Sequence, residues 1–268
     1  MPRTPNQTGI ISKTMENTNN HKAQQERPVS AFNRLLNVSE MRKLFENAVQ
    51  DNSGAFIASL IDLYDGDTDL QLCDPKAVAM EALKAASLKL PINKALGFAY
   101  IIPYRDKCGV MVPQFRLGYR GMIQLCLRSN AYRYINADCL YEGESVALNR
   151  LTGMIVISGT KNGEKVIGYF SYFQLLNGFE KATYWTREAV EAHAVRYSKS
   201  YSSSKSAWVS NFDEMATKTV LRDLLGHYGV MSTEFSIALE AESVLENTAL
   251  LRLAEEPTTI PEPPPVTS

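Results

Sequence analysis

Hydrophobic residues recur at helical spacing in the N-terminal third of the chain. From Val29 onward, apolar positions three to four residues apart predict helices over 39–51, 55–64 and 75–87. Asp74-Pro75 is a start signal for the third helix, because an aspartate can cap the first turn and a proline fits the first helical position. We therefore expect a small helical layer at this end of the protein.

Alternating hydrophobic and polar positions replace the helical period after residue 95. Two runs, 99–104 and 110–116, predict strands joined by a hairpin tip over 105–109. Further strands are expected at 132–141, 154–158, 166–176 and 182–185. Together they predict one antiparallel sheet of about four to six strands. Helices are expected after Thr186, which can act as a cap, and over 211–225, so the fold class is α+β.

A glycine-flanked corner lies between the second strand and the next helix. Gly118 and Gly121 allow a tight turn and a close backbone approach. On the helix that follows, Arg120 and Arg128 share one side, and Tyr119 lies next to them. A basic stripe beside aromatic residues suits a polyanion whose bases can stack. An ordinary surface helix with solvated arginines is the alternative.

Charge is unevenly distributed along the 268 residues, although the formal net charge is only −1. Residues 97–228 carry 16 Lys and Arg against 11 Asp and Glu, whereas residues 229–268 carry one Arg against seven Glu. A basic middle and an acidic tail are expected if the middle contacts phosphates and the tail contacts something else.

Composition and motifs exclude several protein classes. The sequence has no GxxxxGK[ST] loop, no GxGxxG after a strand and no HExxH helix, which argues against common nucleotide and zinc-hydrolase sites. Four cysteines without a CxxC pair predict reduced thiols in a cytosol rather than a zinc site. No apolar run approaches the roughly 18 residues of a membrane span, so no membrane partner is expected.

Three separated blocks of sequence resemble the signature of the RecT family of phage single-strand annealing proteins. The blocks keep the family's order and approximate spacing and cover residues 95–104, 117–123 and 208–222. A Glu-Gly element at Glu142-Gly143 lies between the second and third blocks. The similarity extends over about residues 35–240 and is weak in both tails.

The resemblance implies a recombinase that needs no nucleotide triphosphate. Such proteins bind single-stranded DNA, hold it extended and anneal a complementary strand through a duplex intermediate, as a homo-oligomeric ring or helical filament. The implied fold is a twisted antiparallel β-sheet packed against helices. The implied partners are an exonuclease and the host single-strand-binding protein, and the location is the cytoplasm of a bacterium that carries the phage or prophage. No cofactor is required; magnesium is left open as a modulator of DNA binding.

Backbone clamping with limited stacking is the expected mode of DNA binding, because the bases must stay free to pair. The predicted DNA-binding residues are Lys107, Arg116, Tyr119, Arg120, Arg128, Lys199, Lys205, Trp208, Lys218 and Arg222. Tyr104 is a further stacking candidate. Of these, Lys107, Lys199 and Lys205 rest on local chemistry alone. The account requires the glycine corner and the 211–225 helix to converge on one channel.

Domain boundaries follow from the same patterns. Residues 1–34 are expected to be a disordered polar arm, residues 35–228 the DNA-binding and oligomerisation core, and residues 229–268 an acidic helix with a disordered Pro-rich tail for partner contacts.

Two other functions remain open at this point. Asp138, Glu142 and Glu144 lie close in sequence and could serve a metal-dependent nuclease of the same recombination system. Alternatively, the basic face could pack on an acidic neighbour in a structural assembly protein. The annealing prediction itself includes no bond-making or bond-breaking site.

Overall fold

Four α-helices form a layer at the N-terminal end of the computed structural model, which describes residues 27–106, 108–198, 201–204 and 206–241. These helices are α1 Pro28–Asn37, α2 Ser39–Val49, α3 Ser53–Asp65 and α4 Pro75–Ser87. The carboxylate of Asp74 accepts a hydrogen bond of 2.9 Å from the Ala77 amide, which confirms the predicted cap of α4.

The boundary predicted for the polar arm is wrong at its C-terminal end. Helix α1 begins at Pro28, and its Phe32 and Leu36 are fully buried in the core. Their four-residue spacing places both side chains on one helical face, so residues 28–34 belong to the folded layer. Residues 1–26 lie outside the described part of the chain.

A two-stranded hairpin follows, with β1 Ala99–Arg105 and β2 Met111–Leu117 in antiparallel register. Its inner face packs on the helical layer through four fully buried residues. These residues are Ala99, Ile101, Phe115 and Leu117. The carboxylate of Glu81 on α4 accepts a 2.7 Å hydrogen bond from the Phe115 amide, which fixes the hairpin against that helix. Helix α5 Tyr119–Arg128 comes directly after β2.

The remaining strands are β3 Tyr132–Tyr141, β4 Glu144–Asn149, β5 Met154–Gly159, β6 Val166–Leu175 and β7 Glu180–Thr186. Strands β3, β6 and β7 form a three-stranded antiparallel sheet in the order β3-β6-β7. Strands β4 and β5 pair with each other, as do β1 and β2. The described strands are thus antiparallel, as predicted, and the fold class α+β is confirmed.

The prediction of one sheet of four to six strands is wrong. Pro103 and Pro113 face each other in the first hairpin, and neither has an N–H to offer a further strand. Strand β4 was not predicted because polar residues flank its short apolar run. Its partner β5 follows after a tight turn and supplies the pairing that makes it a strand.

Four helices of the described chain follow β7. They are α6 Arg187–Tyr197, α7 Ala207–Ser210, α8 Phe212–Tyr228 and α9 over 233–241. Of these, α6 and α8 pack on one face of the three-stranded sheet. The hydroxyl of Thr186 accepts a 3.2 Å hydrogen bond from the Ala189 amide, which confirms its predicted capping role. The Ser171 hydroxyl of β6 donates to the Val220 carbonyl of α8 at 3.0 Å. This bond ties α8 to the centre of the sheet.

Two hydrophobic clusters hold the described elements together. The larger one joins the helical layer, the first hairpin, α5 and one end of the sheet, and it includes Phe235 and Ala238 of α9. The smaller one lies between β6, α6, α7 and α8. Residues 233–241 are therefore part of the fold, so the segment predicted for partner contacts begins inside the core. Residues 242–268 lie outside the described part.

Candidate nucleic-acid interface

The glycine corner fits two backbone segments closely together. The Gly118 amide donates a 2.8 Å hydrogen bond to the Phe98 carbonyl. A Cβ atom on Gly118 would overlap the Gly97 carbonyl, and one on Gly121 would overlap the Phe98 carbonyl. Because neither position has room for a side chain, glycine lets the first turn of α5 lie directly against the start of β1. This contact fixes Tyr119 and Arg120 beside the hairpin.

Aromatic and basic side chains share the outer face of the first hairpin. The register places Tyr100 opposite Arg116, with Tyr104 on the same face because side chains alternate along a strand. The Arg116 guanidinium carbon lies 5.5 Å from the centroid of the Tyr104 ring. The Tyr100 hydroxyl and the Arg120 side chain both lie within 4 Å of the Cβ position of Gly97. We call Tyr100, Tyr104, Arg116 and Arg120 the tyrosine–arginine row.

Both arginines of the row retain unused hydrogen-bonding capacity. Arg120 is exposed, and its guanidinium has a long contact of 3.5 Å to the Leu96 carbonyl. Arg116 contacts the Gln114 side-chain oxygen at 3.5 Å, and its Nε is buried without a hydrogen-bond partner. Among the described residues, no carboxylate lies within 4.0 Å of either guanidinium. The row therefore presents two charges that no neighbouring acid neutralises.

The hairpin tip carries a third arginine. Arg105 donates a 2.7 Å hydrogen bond to the Gly109 carbonyl, and the Asp106 carboxylate accepts one of 2.8 Å from the Val110 amide. These bonds order the turn, but Arg105 follows Tyr104 directly in β1 and therefore points away from the face that carries the row. Lys107, the predicted contact at the tip, lies outside the described residues.

Tyr119 connects α5 to the sheet. Its hydroxyl lies 3.5 Å from the Ala137 carbonyl of β3, and its ring packs against the larger hydrophobic cluster. Burial raises the pKa of Tyr119, and the nearby Asp138 carboxylate raises it further. The ring is half-buried, so Tyr119 positions α5 in addition to bordering the row.

Arg128 has an internal role that its sequence position did not reveal. Its guanidinium donates to the Leu88 and Lys89 carbonyls, at 2.6 and 2.9 Å, just beyond the end of α4. These carbonyls have no partner within the helix, and a cation is favourable beside them. Arg128 lies about 12 Å along α5 from Arg120. The structure therefore argues against the predicted phosphate contact of Arg128.

Trp208 is buried, which contradicts the prediction of an accessible stacking or wedge residue. Only 7% of its surface is exposed, and its ring centroid lies 5.5 Å from that of Phe212 and 6.2 Å from that of Tyr201. Its ring packs in the smaller cluster and anchors α7 to α8. The basic residues near it in sequence, Lys199 and Lys205, lie outside the described residues.

Helix α8 crosses the stretch of β3 that Tyr119 contacts. Cys139, two residues along β3 from Ala137, packs against the smaller cluster, which includes Ala216 and Val220 of α8. Lys218 follows Thr217 and is half-buried, whereas Arg222 lines a shallow cavity with Met231 and Glu240 beside α9. The structure thus brings α5 and the middle of α8 to adjacent positions of one strand. That Arg120, Lys218 and Arg222 share one channel stays a prediction.

Tyr100 is the residue of the row that the sequence-based site prediction omitted. A two-residue period along β1 places it on the same face as Tyr104, and a short hairpin tip fixes the register that brings Arg116 opposite. Strand alternation combined with hairpin register is the signal that could have found it.

The carboxylates considered for a nuclease are engaged separately. Asp138 accepts from the Cys139 amide at 2.7 Å, Glu144 accepts from the Tyr141 amide at 2.7 Å, and Glu142 lies 3.7 Å from Lys165. In the described ranges, no three His, Cys, Asp or Glu side chains are grouped so that they could hold a metal ion.

No described helix has the length and apolar character needed to span a membrane.

Comparison with known proteins adds independent evidence. A family model described as RecT family matches residues 54–255. The protein YqaK of Bacillus subtilis (strain 168) is 42% identical over 209 residues, which cover 78% of this chain and 70% of YqaK. Protein RecT of Escherichia coli (strain K12) is 29% identical over 163 residues, which cover 59% of this chain and 60% of that protein. The chain therefore belongs to the RecT family, a membership that supports single-stranded DNA binding, self-assembly and strand annealing in recombination.

Proposed function

We propose that this protein anneals complementary DNA strands without a nucleotide triphosphate and that the tyrosine–arginine row holds the first strand. The observation that carries the proposal is the pair of guanidinium groups, Arg116 and Arg120, interleaved with two tyrosines and without a neighbouring carboxylate among the described residues. Phosphate neutralisation gives affinity for any sequence, as an annealing protein requires.

The Arg116 guanidinium carbon lies 5.5 Å from the centroid of the Tyr104 ring. Its Nε is enclosed by protein, so a phosphate oxygen would have to bind the terminal nitrogens of the guanidinium group. Tyr100 and Tyr104 can stack on one or two bases at the strand's edge, which leaves the other bases free to pair.

Self-assembly follows from the modest charge of one subunit. Two or three guanidinium groups bind a strand weakly, but subunits aligned along it add their contacts. We propose a ring or a helical filament in which Lys107, Lys199, Lys205, Lys218 and Arg222 extend the contacts of each row. The protein acts in the bacterial cytoplasm, and its acidic tail contacts an exonuclease or a single-strand-binding protein.

Substitution of one row arginine tests the DNA contact. Arg120→Ala should weaken binding to every single-stranded sequence about tenfold, which corresponds to about 1.4 kcal/mol. It should also flatten the dependence of log affinity on log salt by about 0.7, the contribution of one single-strand phosphate contact. Fluorescence anisotropy with labelled oligonucleotides at several salt concentrations measures both quantities.

Arg42→Ala is the matched control, because Arg42 is exposed on α2 and pairs with Glu46 at 3.0 Å. It should leave both quantities unchanged. If a folded Arg120→Ala protein retains the parent affinity and salt slope, Arg120 does not contact the strand.

Annealing and cleavage are separated by one further assay. Complementary labelled strands mixed with the protein, without nucleotide and with or without magnesium, should form duplex of full length. Shortened strands would instead support a nuclease.

Loss of residues 246–268 should spare annealing of naked DNA. If annealing is lost, the tail is not limited to partner contacts.

A further inference from the structure

The second hairpin exposes large aliphatic side chains to water. We call residues 144–159, which comprise β4, β5 and their turn, the ribbon. None of its twelve strand residues is buried. In its distal half Leu148 is 58% exposed, Leu151 94% and Val156 63%. None of these three side chains packs on either hydrophobic cluster.

These side chains lie on both faces and at the tip of the ribbon. Leu148 pairs with Ile155 and Val156 pairs with Ala147, so Leu148 and Val156 occupy adjacent pairs and point to opposite faces. Leu151 lies in the turn between the strands. Single exposed aliphatic residues are common on protein surfaces. Here Leu148, Leu151 and Val156 lie within nine residues of one hairpin in which no strand residue is buried, which makes the distal half of the ribbon a candidate interaction surface.

Polar contacts hold the ribbon in place without covering its aliphatic residues. The Thr152 carbonyl accepts a 3.0 Å hydrogen bond from the Lys181 ammonium of β7, and the Glu144 carboxylate accepts from the Tyr141 amide. An isolated two-stranded hairpin is marginally stable in water at best. These hydrogen bonds fix the orientation of the ribbon relative to β7. No apolar surface of the described chain covers its aliphatic side chains.

The charge and apolar character of the ribbon indicate which kind of molecule it contacts. Arg150 is the only charged residue between positions 145 and 158, so the ribbon offers too little charge to hold a phosphate backbone. Membership of the family implies self-assembly, and the contact between copies must use a surface that every copy presents. Burial of apolar surface is the dominant favourable term in most protein association. A second copy of the chain satisfies both conditions.

We propose that the distal half of the ribbon inserts into a different surface of a second copy of this chain and forms the repeating contact of the assembly. A contact of ribbon with ribbon would close after two copies, whereas a contact of ribbon with another surface repeats along a ring or filament. This inference rests on the part of the proposed function that concerns self-assembly. It does not depend on whether the tyrosine–arginine row binds DNA.

Two valines of equal exposure provide a matched test. Val156→Glu changes the ribbon, and Val195→Glu changes α6, where Val195 is 62% exposed. By sedimentation velocity of the full chain, Val156→Glu should reduce the assembly to single chains, and Val195→Glu should retain the parent mass. Leu151→Ser should weaken assembly in the same direction, and its position in the turn makes misfolding a poor explanation. Circular dichroism checks that each variant is folded.

Mixing distinguishes the geometry of the contact. A ribbon variant keeps the receiving surface, so a small fraction of Val156→Glu protein added to the parent should shorten the parent's assemblies. Unchanged assemblies would mean that ribbon meets ribbon, which overturns the head-to-tail contact. The proposal is also overturned if the parent chain is a single subunit at all concentrations, or if both valine variants behave alike.

DNA binding serves as the separate readout. An oligonucleotide short enough for one subunit should bind the Val156→Glu protein and the parent equally, because the row is intact. If the parent also fails to bind it, the DNA site is wrong while the ribbon result still stands.

Discussion

The two hairpins differ in how they are attached to the fold. In the β1–β2 hairpin four residues of the inner face are fully buried against the helical layer, so the outer face is anchored and can present the tyrosine–arginine row. In the ribbon no strand residue is buried, and aliphatic side chains are exposed on both faces. The comparison indicates that a hairpin anchored in the core can pre-organise a ligand site, whereas one without an apolar anchor leaves its aliphatic side chains exposed for another contact.

The largest expected effect compares isoleucines of the two hairpins. Ile101→Ala in β1 should lower the free energy of unfolding by about 2–5 kcal/mol, because it leaves a cavity in the core. Ile157→Ala in β5 should lower it by less than about 1 kcal/mol, because Ile157 is 39% exposed. Urea unfolding followed by circular dichroism measures both. Equal losses would contradict the distinction between an anchored and an unanchored hairpin.

A smaller effect tests the joint between the first hairpin and α5. Gly121→Ala should lower the free energy of unfolding by about 1–3 kcal/mol, because the new methyl group meets the Phe98 carbonyl and the Leu117 side chain. DNA affinity should fall with it as Arg120 moves.

Gly226→Ala is its control, since Gly226 lies in α8 with no atom within 4 Å of the added methyl group. That change should stabilise the protein by about 0.5–1 kcal/mol. A Gly121→Ala protein as stable as the parent would show that the corner is not tightly packed.

An effect of similar size is expected for loss of stacking on the row. Tyr104→Ala should weaken binding of single-stranded DNA by about 1–3 kcal/mol, the range for loss of one stacked base. Tyr134→Ala removes an equally large side chain that is 61% exposed on β3, outside the row, and should leave affinity unchanged. Equal losses in an anisotropy titration would assign the binding to exposed tyrosines in general.

Local patterns predicted most elements of the fold but not how the strands associate. Strand β3 and helix α4 have the predicted bounds, because periodicity, caps and prolines act within a few residues. The division into three small sheets depends on pairing between distant segments. Strand β4 was missed for a different reason, because its apolar run is short and flanked by polar residues.

Site prediction failed where a side chain's partner lies far away in sequence. Arg128 donates to the Leu88 carbonyl, 40 residues earlier in the chain and just beyond the end of α4, and Trp208 is buried in the cluster that includes Tyr169 of β6 and Val190 of α6. The positions of Arg120 and Tyr104 could be predicted, because adjacent glycines and strand alternation already indicate a shared surface, whereas their contact with DNA stays a prediction. Basic residues close to an aromatic residue in sequence are thus weaker evidence for a shared surface than a glycine corner or the alternation of side chains along a strand.

Photochemical cross-linking tests the central claim most directly. Single-stranded oligonucleotides that contain 5-iodouracil, irradiated in complex with the full chain and mapped by mass spectrometry, should form adducts at Tyr100 or Tyr104. The adducts should disappear in high salt as binding is lost. Adducts confined to the ribbon or to Tyr134, with none on the first hairpin, would contradict the assignment of the first strand to the tyrosine–arginine row.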